Sequence, residues 1–367
     1  MLIGIDARMY KFSGIGTYLQ ALLKGLGEID RENRYICYFS SKDANAFDPP
    51  AENFSVKIWD APIYSLWEQA VLPFQIRKEP FDVFHFPHYA FPVLSQCPCV
   101  ISVHDIIHYL FPQYLPNKLA YYYAKFMISA CLRAGKVILA DSENTRNDLI
   151  KHFNADPGKV RVVNPALPEA SHSKEKSGGE AGVLKKFGVD KPYLLYVGNC
   201  KEHKNIPMLV RAFGIVSKKS GHRLLLSCKR DEVKGLGTLV EDLGLEPAIT
   251  FLGRVEREDL MAIYSNASAF VFPSLYEGFG YPPLEAMSHG VPVICSNASS
   301  LPEVVGDAAV LVPPGSVEVM AESIYNVLND EKLRKSLSEK GLKRSESFHY
   351  RAMAEKVLAI YCEAAKT

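Results

Sequence analysis

The 367-residue sequence predicts an α/β protein made of two doubly wound, parallel-sheet domains. Three observations carry this. Short apolar runs alternate with helix-length amphipathic stretches, the pattern of strands covered on both faces. The length suits two domains at roughly 150 residues each. The alternation breaks once, at residues 165–182, where Pro, Ser, Gly and charged residues leave almost nothing to bury.

Taken in order, Leu2 to Asp6 reads as a buried strand, followed by a glycine loop, Ser13-Gly14-Ile15-Gly16, and a helix from about Thr17 to Leu26. Tyr35–Ser40, Ser55–Trp59, Val83–Phe86, Val100–His104 and Val137–Ala140 are the further strands of the first half. A second series opens at Tyr193 and continues with Arg223–Cys228, Ile249–Gly253, Ala269–Pro273, Val291–Cys295 and Ala309–Val312. Helical patterns at about Val317–Leu328, Asp330–Phe348 and Tyr350–Ala365 end the chain. The expected division is a domain over 1–170, a linker or hinge over 171–190 and a domain over 191–345. Ligands of open α/β sheets sit beyond the carboxyl ends of the strands, so two such edges are expected to face each other across a cleft.

Composition removes several classes. Lys and Arg number 42 against 41 Asp and Glu, without the basic excess of a nucleic-acid binder. No run approaches the ~18–20 apolar residues of a membrane span. The start, Met1 to Arg8, meets Asp6 and Arg8 too early for a secretory signal. Of eight cysteines only Cys97 and Cys99 are close, and their spacing suits neither a zinc knuckle nor a thioredoxin-type motif. Reduced thiols in a cytoplasmic enzyme are expected.

The most informative stretch runs from Pro273 to Gly290. A glycine-rich loop follows a strand, Pro282 and Pro283 favour the first turn of a helix, and Gly290 suits its C-terminal end. A helix start behind flexible glycine backbone presents N–H groups to a phosphate or diphosphate. The prolines lack donors, so these come from Gly278, Phe279, Gly280 and Tyr281. Glu277 on the loop and Glu285, expected in the first helical turn, have seven residues between them. Accepting hydrogen bonds from sugar hydroxyls suits both, since a carboxylate beside a diphosphate is repelled. Lys204 stands near another helix start, after Asn199, where it can meet phosphate oxygens. Gly14 and Gly16 offer a third backbone nest. Leu19 occupies the place of the third glycine of a dinucleotide fingerprint, so that fingerprint is not met.

Glu277 to Glu285, set within Pro-Ser-x-x-Glu-Gly-Phe-Gly and Leu-Glu-Ala-Met, resembles the E-x7-E motif of retaining glycosyltransferases of family 4. Gly14-Ile-Gly16, Lys204-Asn205, Gly253-Arg254-Val255 and His104-Asp105 also fall where that family's pattern places them. The resemblance implies the GT-B architecture, two Rossmann-like doubly wound domains, with a last helix over 346–367 returning to the first. It implies that Glu285 and the neighbouring Leu284 bind the nucleotide end of the donor. Glu277 and the Phe279–Gly280 amides would hold the sugar, Lys204 the diphosphate, and Arg254 and Val255 the base or phosphates. His104 would contact the donor sugar near the reacting carbon. Many relatives carry an arginine shortly before the lysine. Here Asn199-Cys200-Lys201 stands there, leaving Lys201, Arg254 or Lys229 for the second positive charge.

The expected reaction moves a hexose, mannose from GDP-mannose as first choice and a UDP-hexose next, to a glycan or polyprenyl-diphosphate-linked acceptor. The implied course keeps the anomeric configuration, the leaving phosphate helping to deprotonate the acceptor and closure about residues 165–182 excluding water. Amides and Lys204 answer the charge on the leaving phosphate, so no metal or other cofactor is expected. His85, His88, His104 and His108 match no zinc spacing, and flanking aromatics make packing the simpler reading of His85 and His88. Residues Leu115 to Arg133 carry aromatics with Lys118, Lys125 and Arg133, a pattern compatible with peripheral membrane contact as well as with helix core. The alternatives are a nucleotide-sugar epimerase, whose acid/base carboxylates in the first half would fall to Asp105 and Glu68, and a non-catalytic sensor.

Overall fold

The structure is a computed structural model that describes residues 1–167, 180–189 and 192–366, with side chains from 182 on in the second segment. They form two compact units, one holding 1–167 and 348–366, the other 180–189 and 192–347.

The first unit contains β1 (Leu2–Asp6), α1 (Ser13–Ile29), β2 (Arg34–Phe39), β3 (Phe54–Ile58), α2 (Leu66–Ile76), β4 (Val83–Phe86), β5 (Cys99–Val103), α3 (Ile107–Leu110), α4 (Lys118–Ala134), β6 (Val137–Ala140), α5 (Glu143–Phe153) and β7 (Val160–Val162). Its seven strands are parallel in the order β3-β2-β1-β4-β5-β6-β7. Side chains alternate between faces, so each strand feeds two cores. Ile3, Ile5, Cys37 and Val100 pack with Leu19, Leu22 and Leu26 of α1, whereas Ile36, Tyr38, Ile101 and Ile138 pack with Leu72 of α2 and Met127 and Ile128 of α4.

The second unit contains α6 (Glu180–Lys186), β8 (Tyr193–Tyr196), α7 (Ile206–Ser220), β9 (Arg223–Leu226), α8 (Leu236–Asp242), β10 (Ile249–Phe251), α9 (Arg257–Ser265), β11 (Ala269–Phe272), α10 (Tyr281–Ser288), β12 (Val293–Ser296), α11 (Leu301–Val305), β13 (Ala309–Val312), α12 (Val317–Asn329) and α13 (Glu331–Glu346). Six parallel strands run β10-β9-β8-β11-β12-β13. In both sheets the order reverses beside the unit's first strand, at β1/β4 and at β8/β11, which makes the loops after those strands the natural ligand sites.

The last helix, α14 (Tyr350–Lys366), belongs to the first unit, where Met353, Ala354 and Val357 join the core under α1. Gly25 permits this approach. A Cβ there would lie 2.6 Å from that of Ala354 and 2.7 Å from the Tyr350 carbonyl oxygen.

Three details depart from the sequence reading. Gly14 and Gly16 lie in the first turn of α1, not in a loop before it. Gly16 sits so close to the preceding chain that a Cβ would come 2.5 Å from the Tyr10 carbonyl oxygen, which lets the helix begin early. The strand β7 was not anticipated. The stretch expected as linker over 171–190 holds α6, which packs on α9, while 168–179 and 190–191 lie outside the described residues, as does most of the expected hinge.

Candidate active site

In the second unit the loops after β8 and β11 are neighbours because those strands pair. They are stitched together through His203, whose carbonyl accepts hydrogen bonds from the Leu275 amide at 2.7 Å and the Ser274 hydroxyl at 3.3 Å. Burial, with Lys204 and Lys201 nearby, depresses the His203 imidazole to about 3, so it is neutral at physiological pH. One residue on, Lys204 Nζ donates to Glu277 Oε1 at 2.6 Å, with side-chain exposures of 9% and 12%. The ammonium also lies 5.4 Å from the centre of the Phe272 ring. Two residues 73 apart in sequence thus form a nearly buried ion pair at the switch point of the sheet.

The loop from Glu277 to Gly280 is anchored from β12's far end. Ser299 donates to the Glu277 carbonyl at 2.6 Å, and Ser300 donates to the carbonyls of Glu277 and Phe279. Gly280 caps α10 with φ 117°, a left-handed geometry that favours glycine. Pro282 and Pro283 occupy the first turn, as expected. Glu285 is the helix's fifth residue and stands in its second turn, a correction to the expected first-turn position. Its Oε2 accepts from the Tyr264 hydroxyl at 3.1 Å. Burial pushes its carboxyl above the usual carboxylate range, only partly offset by Tyr264 and Arg257.

The remaining expected donor residues vary. Leu284 is wholly buried, so its side chain belongs to the core and only backbone remains for a ligand. Asn199 is exposed, its carbonyl tied to the Tyr196 hydroxyl at 2.9 Å. Phe279 is buried, its ring edge-on to the half-buried Tyr281. Arg254 is 89% exposed and Val255 half-buried, and Lys201 and Lys229 are exposed. Lys229 lies beside Gly253, its Cγ 3.7 Å from where a Cβ would stand.

In the first unit, His104 follows β5 with Nδ1 2.9 Å from Asp141 Oδ2 and Nε2 2.8 Å from the Pro87 carbonyl oxygen. His85 lies inside β4, between the Tyr361 hydroxyl at 2.6 Å and the Ser102 hydroxyl at 2.9 Å. His88 is buried, accepts from the Ala90 amide and meets the Tyr64 hydroxyl. His108 Nδ1 meets the Tyr89 hydroxyl. Among the described residues no group of three or more His, Cys, Asp and Glu is placed to share a metal ion. Asp6, Arg8 and Glu68 form a buried charge cluster at the end of β1, the Arg8 guanidinium also donating to the Ala61 carbonyl. Gly14 is exposed, and Gly16 is buried.

The family model described as "Glycosyl transferases group 1" matches residues 184–344, and "Glycosyltransferase Family 4" matches residues 12–169. An O-antigen chain mannosyltransferase B of Escherichia coli is 35% identical over 76% of this chain and 74% of its own length. The chain is a family 4 glycosyltransferase. The O-antigen chain mannosyltransferase RfbU of Salmonella typhimurium strain LT2 is 30% identical over 65% of this chain and 63% of its own. HepE of Anabaena, solved with UDP and glucose, superposes with a TM-score of 0.79 at 17% identity, covering 99% of this chain and all of that one. It shares the GT-B fold.

Four residues that the sequence does not single out hold the candidate residues in place: Ser299 and Ser300 under the loop, Tyr264 on Glu285, and Asp141 on His104. Ser299 and Asn205 are non-glycine residues at positive φ, 53° and 55°, and both flank the Lys204–Glu277 pair. Backbone in that region concentrates at functional sites, but sequence gives no sign of it for Ser.

Proposed function

We propose that this glycosyltransferase moves mannose from GDP-mannose to a hydroxyl of a glycan or lipid-linked sugar acceptor with retention of configuration. Support for the sugar comes from the two relatives named as O-antigen chain mannosyltransferases. The observation that carries the donor site is the Lys204–Glu277 pair beside the start of α10, with Glu285 on the same helix. Lys204 and the loop amides answer the charge of the leaving diphosphate without needing a metal ion. Glu277 takes the sugar hydroxyls, Glu285 the ribose, and His104 the transferred sugar near its reacting carbon.

Incubating the protein with GDP-mannose or a UDP-hexose and an acceptor, and following both nucleotide release and sugar transfer, tests this. Glu277→Ala abolishes transfer while nucleotide binding survives, and Glu285→Ala weakens nucleotide affinity. Unaltered activity in both variants overturns the site. Transfer from a UDP-hexose alone replaces the donor, and nucleotide release with no sugar transferred favours an epimerase.

We also propose peripheral contact with the cytoplasmic face of a membrane. Among the described residues no helix is long and apolar enough to cross one. On α4, Leu119, Tyr122 and Phe126 are 78%, 62% and 54% exposed at one-face spacing, with Lys118, Lys125 and Arg133 around them and no acid in the helix. On α2, Leu66, Trp67 and Phe74 are exposed, and its single acid, Glu68, is buried against Arg8. Apolar anchors among cations suit anionic headgroups.

A further inference from the structure

Both ring nitrogens of His104 face acceptors. A carbonyl oxygen only accepts, so Nε2 must carry hydrogen toward Pro87. One more proton then belongs on the line between Nδ1 and Asp141 Oδ2. Burial raises the Asp141 carboxyl, but Asp141 in turn raises the ring, which is the more basic of the two groups in water at about 6.5 against about 3.9, so that proton resides on the imidazole. The side chains are only 15% and 7% exposed, which leaves little water to replace either acceptor.

We propose that Asp141 is a positioning residue that keeps His104 as an imidazolium, so that the ring serves transfer as a fixed positive charge and not as a general base. This rests on the assignment of His104 to the transferred sugar.

The charged and titratable groups around the ring agree. Asp105, the next residue, adds a second negative charge. From α1, Tyr18 presents a ring at 5.1 Å, edge to face, and its hydroxyl meets Ser102 at 3.3 Å. His85 in β4 and His88 after it are depressed by burial first and by the charge of His104 second, His85 to about 3, so both are neutral. Burial opposes charging His104 as well. The charge and hydrogen bond of Asp141, the Pro87 carbonyl and Asp105 outweigh it and raise the imidazole above its ordinary value.

The test uses the full chain labelled with ¹⁵N-histidine. Ring ¹⁵N shifts are followed against pH, and the His104 signal is assigned by its loss in His104→Gln. The wild-type ring is expected to be doubly protonated at pH 7. Asp141→Asn lowers its midpoint by about one pH unit or more, the scale of a lost ion-pair partner. The alkaline limb of kcat/KM moves down by the same amount, a loss that grows above the variant's midpoint and reaches about tenfold above the wild-type midpoint. Asp141→Glu restores part of the displacement. A neutral His104 in the wild-type protein at pH 7 overturns the proposal, whether or not the variants fold. So does an unchanged midpoint in a folded Asp141→Asn. The NMR readout needs no donor or acceptor, so loss of the proposed sugar transfer and loss of this protonation state are separate outcomes.

Discussion

Replacing Lys204 by Met removes the ammonium but keeps a chain of similar length, and leaves the Glu277 carboxylate without its 2.6 Å partner. Stripping one member from a buried pair costs about 3–5 kcal/mol, since the survivor keeps its desolvation and loses its compensation. Exposures of 9% and 12% admit some water, so the lower end, about 3 kcal/mol, is expected. The contact of the ammonium with Phe272 supplies part of that, about 0.5–1 kcal/mol. In a unit of this size each kcal/mol moves the midpoint by about 2–4 °C, giving a fall of about 6–12 °C. Thermal unfolding by circular dichroism is the assay, and the transition of the second unit is recognised by its upward movement on adding nucleotide. Lys204→Met with Glu277→Gln removes both charges and should be more stable than Lys204→Met alone, a coupling of about 1–3 kcal/mol. Additive effects of the two substitutions, or an unmoved midpoint in Lys204→Met, would refute the idea that this pair holds the two loops together.

Three further outcomes are expected. The Glu285 carboxyl is raised in the folded state, so its favourable contribution is complete below the unfolded value of about 4.5 and is lost as pH rises through the folded value. Glu285→Gln should therefore stabilise the free protein at pH 7 and lose that advantage near pH 4; a gain independent of pH contradicts the assignment. Gly280→Ala places a Cβ 2.8 Å from Leu301 Cδ2 at φ 117°, and should cost about 1–3 kcal/mol and weaken donor binding, read by urea unfolding and nucleotide titration. Sedimentation with vesicles should show binding to anionic but not zwitterionic lipid, weakened by Trp67→Ser with Phe126→Ser; equal binding to both lipids removes the electrostatic half of that reading.

Strands buried on both faces read as unbroken apolar runs, which is why Leu2–Asp6, Val83–Phe86, Val137–Ala140 and Tyr193–Tyr196 were legible from the chain alone. Helix α10 was legible through Pro282, Pro283 and Gly290, whose backbones restrict what can begin and end there. The three-residue β7 was too short to show a period. The early start of α1 was hidden because Gly14 and Gly16 serve a loop and a close-packed helix turn equally well.

Sequence by itself determined the fold class, the family and which residue types gather after which strands. Tertiary structure alone decided the pairings: Lys204 with Glu277, His104 with Asp141 and Pro87, Tyr264 with Glu285, and Arg8 with Glu68. Each of these unites residues 17 to 73 positions apart. In a parallel sheet the partners of a strand end are chosen by the lateral order of the strands, and crossover connections make that order independent of local periodicity.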